Sequence, residues 1–518
     1  MATRIIAILL TLIGSARIVS TYKILNNTVD EPAHLAAGIE WVENGTYTYE
    51  DQHPPLARVA GALGAYFAGA RWSRQKGQIS EGFHLLGYQH RYTRVLFYSR
   101  LAMLPFFWIG SAAVFWWARR AAGDVAGVLA TLLFTTTPTV LAHAGLVTTD
   151  TAMTGLTCMA AVYSLHWGDK PGWRRSLLLG LLLAGAFLSK FSSLAFLPAG
   201  WILMYSWHLW NARPGWRIAS QEIIRALPQA LLAWAVAAFL IWAMFNFDYG
   251  YARFFKRPVP AYEFFNGIAS AWRHNEAGHP AYLLGQVRTR GFWYYYPVAL
   301  SVKTPLAMLV LVMASVIILF RRNGGAAAGM AAMFALGVLA VGMTSHINIG
   351  VRHVLPVYSG FAVCGGMAAA YLAKAGRAGL ISAILLLGWH AVSGALAHPD
   401  YLSYSNEIAR GHLEKILADS DLDWFQDMRQ LAIRLRQLGA RHVYLKANDP
   451  DFMAASGLQL PPWDVVPDGD QPPTGWSALQ VTWWKLSGQP KWADRAEPRE
   501  KIGRSIFLYY FSEPRRRD

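Results

Sequence analysis

Asn27-Thr-Val-Asp-Glu-Pro-Ala-His34 follows the first apolar stretch of the chain and begins a long polar loop. It places two adjacent carboxylates, Asp30 and Glu31, where the chain would leave a membrane. Such a pair is common in the first turn of a helix, because carboxylates stabilise a helix N-terminus. Its position at a membrane exit, with Pro32 restricting the backbone, favours a functional site instead. We expect the rest of the chain to be organised around these carboxylates.

The composition is that of a polytopic α-helical membrane protein. Of the 518 residues, 54% are hydrophobic and only 15% are charged, which is too apolar for an ordinary soluble enzyme. The net charge of +16 comes largely from short Lys/Arg clusters between apolar stretches. This pattern indicates membrane topology and contact with anionic lipids, and we expect no nucleic-acid partner. Cys158 and Cys364 both lie in apolar stretches, so no disulfide framework is expected.

The chain contains about eleven stretches of the length and composition that a transmembrane helix needs. Only the break at Ser189-Lys-Phe191 separates the fifth stretch from the sixth. The stretches lie near residues 4–24, 95–117, 124–144, 151–168, 174–189, 191–209, 226–246, 293–320, 326–345, 353–373 and 379–397.

Basic residues in the short loops set the orientation of these spans. Alternate threading of eleven spans places the basic clusters at residues 119–120, 170–175 and 374–377 on one side, which is then the cytoplasm. No small-residue cleavage site precedes Asp30, so the first span is expected to remain uncleaved. The first long loop, residues 25–94, then faces outward together with the C-terminal region.

We expect a transmembrane domain over residues 1–397 and a small outer α/β domain over residues 398–518. Two pieces of the first outer loop, residues 56–70 and 83–98, are expected to be interfacial helices, because each is too short or too mixed to cross a bilayer. They would either guide a lipid-linked substrate sideways into a cavity or serve as a structural collar. In the C-terminal region the pattern predicts a helix from Trp424 to Leu438 and strands at 442–445, 481–484 and 506–511.

Several basic side chains lie where a bilayer makes charge expensive, and each is therefore a candidate functional residue. Lys190 stands at the break between two spans, and Lys303 lies about ten residues into the eighth span. Arg352 and His353 open the tenth span from its outer side, and Arg100 lies within the second. The alternative for the long basic side chains is that they reach to the lipid headgroups. Cations around an outward cavity predict an anionic ligand.

The carboxylates on the outer side are Asp30, Glu31 and Asp150, which we take as the candidate catalytic residues. A carboxylate pair beside a membrane also suits a divalent cation, which would need further oxygen ligands nearby. Asp150 is one such oxygen ligand, but the set is incomplete, so no metal ligands are assigned and a divalent cation stays an alternative.

If the anion is a polyprenyl phosphate that carries a sugar, these groups suit the transfer of that sugar. The reaction needs a base that takes a proton from the acceptor and a cationic pocket that holds the departing phosphate. Asp30 is the candidate base, and Lys190, Arg352 and Lys303 are candidates for the pocket. Direct displacement by a single base implies inversion at the anomeric carbon, through an oxocarbenium-like transition state.

A set of short motifs points to the same chemistry. They are the Asp30-Glu31 pair after the first span, His53-Pro-Pro-Leu56 in the first outer loop, Asp150 before the fourth span, Leu188-Ser-Lys-Phe191 and the outer tail. Together they resemble the membrane glycosyltransferases of the GT-C fold, in particular the bacterial branch related to protein O-mannosyltransferases (family 39) and the lipid A aminoarabinose transferase (family 83). The resemblance covers most of residues 1–420.

The resemblance implies an enzyme of the bacterial inner membrane with a polyprenyl-phosphate sugar donor, and with its active site and C-terminal domain in the periplasm. It also implies that Asp30 occupies the catalytic position. In the lipid A enzymes a Lys-Pro-Pro-Leu motif supplies a lysine that contacts phosphate, whereas this chain has His53 there. A neutral imidazole carries no fixed charge, so we expect donor recognition to rest on Arg58, Lys190 or Arg352.

The acceptor is a glycan, a lipid or a protein. The tail does not resemble the three-lobed sugar-binding domain of eukaryotic protein mannosyltransferases, which weakens the case for a protein acceptor. Three further motifs look like signatures of a bacterial subset of the family: Gly291-Phe-Trp-Tyr-Tyr-Tyr-Pro-Val-Ala-Leu-Ser-Val-Lys-Thr-Pro305, Asp400-Tyr-Leu-Ser-Tyr-Ser-Asn-Glu407 and Asp421-Leu-Asp-Trp-Phe-Gln-Asp427.

The principal alternative is a transporter or flippase of lipid-linked sugars. Transporters often show paired halves with broken helices and an acidic site at the membrane midplane. This sequence shows no internal repeat, and its acidic residues lie at the outer edge of the predicted spans, which favours the enzyme. A non-catalytic scaffold that retains the cavity is a third hypothesis.

Overall fold

Apolar stretches fold as helices in this chain, because a membrane leaves the backbone no partner but itself. The computed structural model describes residues 1–87, 91–212, 216–321, 326–447 and 458–512. The helices are α1 (Ala2–Thr21), α2 (Glu31–Asn44), α3 (Pro55–Phe67), α4 (Gln78–Gly87), α5 (Tyr92–Leu101), α6 (Leu104–Ala122), α7 (Asp124–Thr136), α8 (Pro138–Ala144), α9 (Thr149–Asp169), α10 (Trp173–Ser189), α11 (Ser193–Ala212), α12 (Trp216–Met244), α13 (Tyr262–Ala277), α14 (Tyr295–Lys303), α15 (Leu306–Arg321), α16 (Ala326–Gly342), α17 (Pro356–Lys374), α18 (Arg377–Leu396), α19 (Met428–Gln437) and α20 (Val481–Ser487).

The predicted polytopic helical architecture is confirmed, and each predicted span falls on one helix or on two consecutive helices. By length and composition, 5 of the described helices could cross a membrane, or up to 7 if each bent pair is one span. The pairs are α7 with α8, bent by 66°, and α14 with α15, bent by 115°. The predicted number of about eleven also includes α9, α10, α11 and α16, which do not meet this test. Of these, α9 is buried among other helices along most of its length.

The first outer loop packs onto the helical bundle instead of lying apart from it. The expected interfacial segment 56–70 is α3, which is held between α2 and α5 and exposes chiefly Leu63 and Phe67. The segment 83–98 divides into the end of α4 and most of α5, and residues 88–90 between them lie outside the described part. These helices are therefore part of the wall behind Asp30.

Two hairpins and a helix form the segment between α12 and α14. Strands β1 (Tyr249–Ala252) and β2 (Arg257–Pro260) pair antiparallel, as do β3 (Ala281–Leu283) and β4 (Gln286–Arg288), with α13 between the two hairpins. Aromatic side chains are strongly exposed here, including Tyr249, Phe254 and Trp272. Exposed aromatic residues beside a span are typical of the membrane interface.

The C-terminal region contains a five-stranded mixed sheet in the order β6-β5-β7-β9-β8. Strand β5 is parallel to β6 and β7, whereas β9 is antiparallel to β7 and β8. The strands are β5 (Val443–Lys446), β6 (Trp463–Val465), β7 (Gly475–Gln480), β8 (Glu500–Ile502) and β9 (Ile506–Phe511).

Two sequence predictions for this region are confirmed and two are corrected. The strands expected at 442–445 and 506–511 are β5 and β9. The expected strand at 481–484 is instead the helix α20, because Val481 and Trp484 are buried at the spacing of one helical face. The helix expected from Trp424 begins only at Met428, and Trp424 has a different environment, described below.

Close helix contacts around the site depend on glycine. A Cβ atom on Gly38 of α2 would lie 2.3 Å from the Arg58 carbonyl oxygen of α3. A Cβ atom on Gly64 of α3 would lie 2.2 Å from the Tyr98 carbonyl oxygen of α5. Both contacts are with backbone, so neither neighbour can move aside by changing a rotamer. Small residues thus allow α2, α3 and α5 to pack backbone against backbone.

We predict that Gly38→Ala lowers the melting temperature of the detergent-purified protein by several degrees, because the added methyl group must separate α2 from α3. Gly388→Ala on α18 is the matched control, since a Cβ atom there meets nothing within 4 Å. Alanine is the better helix former, so this control should be neutral or slightly stabilising. Equal melting temperatures for Gly38→Ala and the wild type would contradict the packing described here.

Candidate active site

Four charged residues from distant parts of the sequence form one ion network. Asp30 directly precedes α2, Asp150 lies in the first turn of α9, Lys190 follows the last residue of α10, and Arg352 lies in a 3-10 turn over Val351–Val354. The Lys190 ammonium donates to Asp150 Oδ1 at 2.6 Å. Arg352 donates from one terminal nitrogen to Asp30 Oδ2 at 3.0 Å. The same nitrogen lies 3.7 Å from Asp150 Oδ2. The structure therefore brings together the predicted base and two of the predicted phosphate-binding cations.

The network is buried at one end and open at the other. The side chains of Asp150, Arg352 and Lys190 are 0%, 7% and 11% exposed, whereas that of Asp30 is 34% exposed. Buried charges need partners, and Asp150 finds both cations in addition to the N-terminus of its helix. Asp30 is thus the carboxylate that a molecule from outside can reach.

Hydrogen-bonding capacity remains at this site. The Lys190 ammonium has three N–H groups and donates one of them to a described residue. The second terminal nitrogen of Arg352 makes no hydrogen bond within the described part of the chain. Asp30 Oδ1 accepts none there either, and Asp150 Oδ2 is a buried oxygen without a hydrogen-bond partner among the described residues. The unused donors of Lys190 and Arg352 can bind an anion, and the accessible Asp30 carboxylate can accept a proton from a second molecule.

His53 and Arg58 form a second network beside the first. Arg58 is buried and donates to His34 Nδ1 at 2.9 Å, to the Tyr47 hydroxyl at 2.9 Å and to the Glu50 carboxylate. Its terminal nitrogen lies 3.1 Å from His53 Nδ1. Burial, together with the charge of nearby Lys190, lowers the pKa of His53 to about 4. His53 is therefore neutral at pH 7, as its sequence position led us to expect, and Arg58 is engaged with its own neighbours.

Glu31 and Arg100 form a separate buried ion pair. The Arg100 guanidinium donates to both carboxylate oxygens of Glu31, at 2.8 and 2.7 Å. Glu31 also accepts from the backbone N–H groups of Thr28 at 2.8 Å and Val147 at 3.0 Å. Both side chains are fully buried. The structure does not place Glu31 beside Asp30 in the ion network, nor Arg100 among its cations; the pair instead ties the first outer loop to α5 and to the turn before α9.

Two further predicted substrate-binding residues, Lys303 and His353, differ in burial and contacts. Lys303 is buried, and its ammonium donates to three backbone carbonyl groups, so it is not joined to the ion network. His353 follows Arg352 in the 3-10 turn and is only partly buried.

Two residues that the sequence did not suggest contact Arg352. Ser420 Oγ accepts a hydrogen bond from Arg352 Nε at 3.0 Å, and the guanidinium carbon lies 4.1 Å from the centre of the Trp424 ring. Trp424 belonged to a predicted helical pattern, and a lone serine carries no sequence signal of such a contact. The only available clue was the Asp421–Asp427 motif, which includes Trp424 and follows Ser420.

A polar cavity and an apolar groove are separated by an aromatic wall. The polar cavity of about 370 Å³ is lined by residues that include Tyr47, Glu50, Asp51, His53 and Glu263. An apolar groove of about 500 Å³ runs between α12 and the segment 255–265. The wall consists of three rings, with Phe264 5.4 Å from Phe191 and 6.1 Å from Phe245. Phe191 directly follows Lys190 and lines the polar cavity, which is therefore close to the ion network.

A divalent cation at these carboxylates stays a prediction. Asp30 and Asp150 are each paired with a cationic side chain. Among the described residues, no group of three or more His, Cys, Asp or Glu side chains could hold a metal ion. We therefore derive no step of the chemistry from a metal.

Comparison with known proteins gives a match to one family over part of the chain, and a set of similar folds. Residues 79–245 match the sequence profile of the dolichyl-phosphate-mannose-protein mannosyltransferase family. This segment contains Asp150 and Lys190 but neither Asp30 nor Arg352. Among curated proteins, no sequence matches the chain.

Solved structures match along almost the whole chain. ArnT from Cupriavidus metallidurans bound to undecaprenyl phosphate is 12% identical, with a TM-score of 0.51 and 97% of each chain covered. The apo form is 11% identical, with a TM-score of 0.52 and 98% of each chain covered. The oligosaccharyltransferase AglB from Archaeoglobus fulgidus, in complex with an inhibitory peptide and a dolichol-phosphate, is 11% identical, with a TM-score of 0.51, 89% of this chain and 60% of AglB covered.

We predict that the Glu31–Arg100 pair is structural, and a double-mutant cycle tests this. Glu31→Gln and Arg100→Met should each lower the free energy of unfolding by about 3 to 5 kcal/mol, because each leaves its partner buried and unpaired. The double variant should lose less than the sum of the two. Additive losses in denaturant unfolding of the purified protein would contradict a coupled pair.

Proposed function

We propose that this chain is an inverting glycosyltransferase. The premise is that it has the GT-C fold and is related to the protein mannosyltransferases of family 39 and the aminoarabinose transferase of family 83. It moves a sugar from a polyprenyl-phosphate donor to an acceptor on the outer face of the bacterial inner membrane. One observation carries this proposal. The Arg352 guanidinium contacts both the accessible carboxylate of Asp30 and the buried carboxylate of Asp150, which is paired with Lys190.

Asp30 is suited to be the general base. Its Oδ2 is held by Arg352, which orients the carboxylate, and its Oδ1 is left to accept the proton of an acceptor hydroxyl group. Asp30 is also the most exposed member of the network, so an acceptor can approach it from the outer side. Asp150 has a different part: it is buried and holds Lys190 and Arg352 in position.

Lys190 and Arg352 are suited to the departing phosphate. As the anomeric C–O bond breaks, its electron pair stays on the polyprenyl phosphate, whose negative charge grows. The acceptor oxygen forms the new bond to the anomeric carbon from the opposite face, and its proton passes to Asp30. The unused N–H groups of Lys190 and Arg352 stabilise the phosphate charge, most strongly in the transition state.

The polar cavity holds the sugar of the donor, and the apolar groove holds its isoprenoid chain. The polar cavity beside His53 offers carboxylates and aromatic rings, which suit the hydroxyl groups and apolar face of a sugar. The apolar groove beside α12 suits the isoprenoid chain, and α12 is among the least buried candidate spans. In support, the ArnT structure holds undecaprenyl phosphate and the AglB structure holds a dolichol-phosphate.

We predict that Asp30→Asn lowers sugar transfer at least about 100-fold, the scale of a lost general base. The amide keeps an acceptor for Arg352, so folding and membrane insertion should be unchanged. Mass spectrometry of envelope glycans, lipids and proteins, from cells with the variant as sole copy, should show the loss of one sugar residue. Asp464→Asn in the outer tail is the control, since Asp464 is exposed. Normal glycans with Asp30→Asn would remove Asp30 from the mechanism.

We predict that Lys190→Met weakens binding of undecaprenyl phosphate to the purified protein about tenfold or more, the effect of one charge-assisted hydrogen bond. Lys170→Met, at an exposed loop position, should bind as the wild type does.

Because Lys190→Met leaves the buried Asp150 with only its longer contact to Arg352, the double variant with Asp150→Asn should restore the melting temperature but not the affinity. Undecaprenol, which lacks the phosphate, should bind the wild type and Lys190→Met equally. Unchanged affinity for undecaprenyl phosphate in a folded Lys190 variant would assign Lys190 to structure alone.

A further inference from the structure

Three sequence motifs have no part in the reaction as described so far. They are residues 291–305, 400–407 and 421–427, which are separated by up to about a hundred residues in the sequence. The structure brings all three into direct contact, and the point where they meet lies against Arg352.

Lys303, in the first motif, is the anchor of this contact. Its ammonium donates to the carbonyl oxygens of Leu402 at 2.6 Å, Tyr404 at 2.7 Å and Asp421 at 2.6 Å. An ammonium has three N–H groups, so all of them are used. Lys303 thereby joins the end of α14 to the second and third motifs at once, which explains a buried cation that binds no carboxylate.

Asn406, in the second motif, holds the same helix end. Its side-chain amide donates to the carbonyl oxygens of Ser301 at 2.6 Å and Thr304 at 2.7 Å, and its backbone N–H donates to Val302 at 2.8 Å. The last carbonyl groups of a helix need partners that the helix cannot supply. The 115° bend between α14 and α15 is therefore fixed by the segment that follows α18.

Asp421, in the third motif, connects this anchor to the turn that carries Arg352. Its carboxylate accepts from the backbone N–H of Val351 at 3.0 Å and from the Tyr295 hydroxyl at 3.0 Å. Ser420 bonds to the same turn, since its hydroxyl donates to the Ile349 carbonyl oxygen while it accepts from Arg352 Nε. The backbone around Arg352 is thus held from the C-terminal side.

We propose that residues 420–424, here called the strap, position Arg352 for the donor phosphate. Ser420 accepts from Nε and Trp424 covers one face of the guanidinium, while one terminal nitrogen donates to Asp30. The proposal rests on the proposed function, which makes Arg352 a phosphate ligand. Ser420 and Trp424 are positioning residues, because they act through Arg352.

The strap has a defined physical effect. A free arginine side chain carries rotamer entropy, part of which is lost whenever it binds a ligand. A guanidinium already held at Nε and over an aromatic ring has lost that freedom before the donor arrives. Donors fixed in advance also stabilise the developing phosphate charge without reorganising at the moment of reaction.

Binding of undecaprenyl phosphate to the full-length detergent-purified protein tests the strap. Ser420→Ala and Trp424→Leu should each weaken affinity about three- to tenfold, in the range of one lost hydrogen bond or one cation–π contact. Ser477→Ala is the matched control, a buried serine of β7 whose hydroxyl has no hydrogen-bond partner in the described structure. It should leave the affinity unchanged. Unchanged affinity for Ser420→Ala as well would overturn the proposal.

Measuring Ser420→Ala in the Arg352→Lys background shows whether Ser420 acts by positioning Arg352 or by a general effect on the structure. Arg352→Lys keeps the positive charge but has no Nε, so Ser420→Ala can lose only its bond to Ile349 in that background and should weaken affinity much less than in the wild type. The same fold-loss from Ser420→Ala in the wild-type and Arg352→Lys backgrounds would show that Ser420 acts on the structure at large and would overturn the proposal.

The strap can still be tested if the wild type does not bind undecaprenyl phosphate, a result that would reject the proposed function. The measurement is then cryo-electron microscopy of Ser420→Ala, in which the Arg352 guanidinium should leave its place over Trp424 and beside Asp30. An unmoved guanidinium would show that the strap does not position it.

Discussion

Arg352 bridges two carboxylates that no single helix could bring together. Charge in an apolar surrounding must be paired, and here the pairing joins the start of α2, the start of α9, the end of α10 and the turn before α17. Those helices are consequently fixed in position relative to one another by the same contacts that form the site. Close backbone packing at Gly38 and Gly64 then holds the wall behind Asp30. The geometry of the network is therefore a property of the whole bundle.

The network is incompletely satisfied, and its chemistry follows from that. Glu31 with Arg100, and Lys303 with its carbonyl groups, have their polar atoms matched by the protein itself. Asp30, Lys190 and Arg352 keep acceptors and donors that no described residue uses. A buried set of charges is stable when it is complete, whereas an incomplete one at a cavity is prepared for a ligand. On our proposal the missing partners are a phosphate and an acceptor hydroxyl group.

Sequence reasoning selected its basic candidates because a charged group within an apolar span needs a reason to be there. That rule singled out Lys190, Lys303, Arg100 and Arg352 alike. It could not separate them, since the partner of each is far away in the sequence: Glu31 for Arg100, three carbonyl groups for Lys303 and Asp150 for Lys190. Local pattern also misassigned residues 481–484, where valine and tryptophan favour a strand but bury one face of a helix. Trp424 was missed for the same reason: its spacing matches that of α19, but its ring packs on Arg352.

The central claim is that a lipid phosphate binds between Lys190 and Arg352, opposite Asp30. A cryo-electron microscopy map of the protein with undecaprenyl phosphate tests it most directly. We expect the phosphate oxygens at about 2.7 to 2.9 Å from the Lys190 ammonium and the Arg352 guanidinium, the distance of charge-assisted hydrogen bonds. We expect the hydrocarbon chain to leave along α12. Phosphate density at another place in the bundle, with Lys190 and Arg352 still bound only to Asp150 and Asp30, would contradict the account.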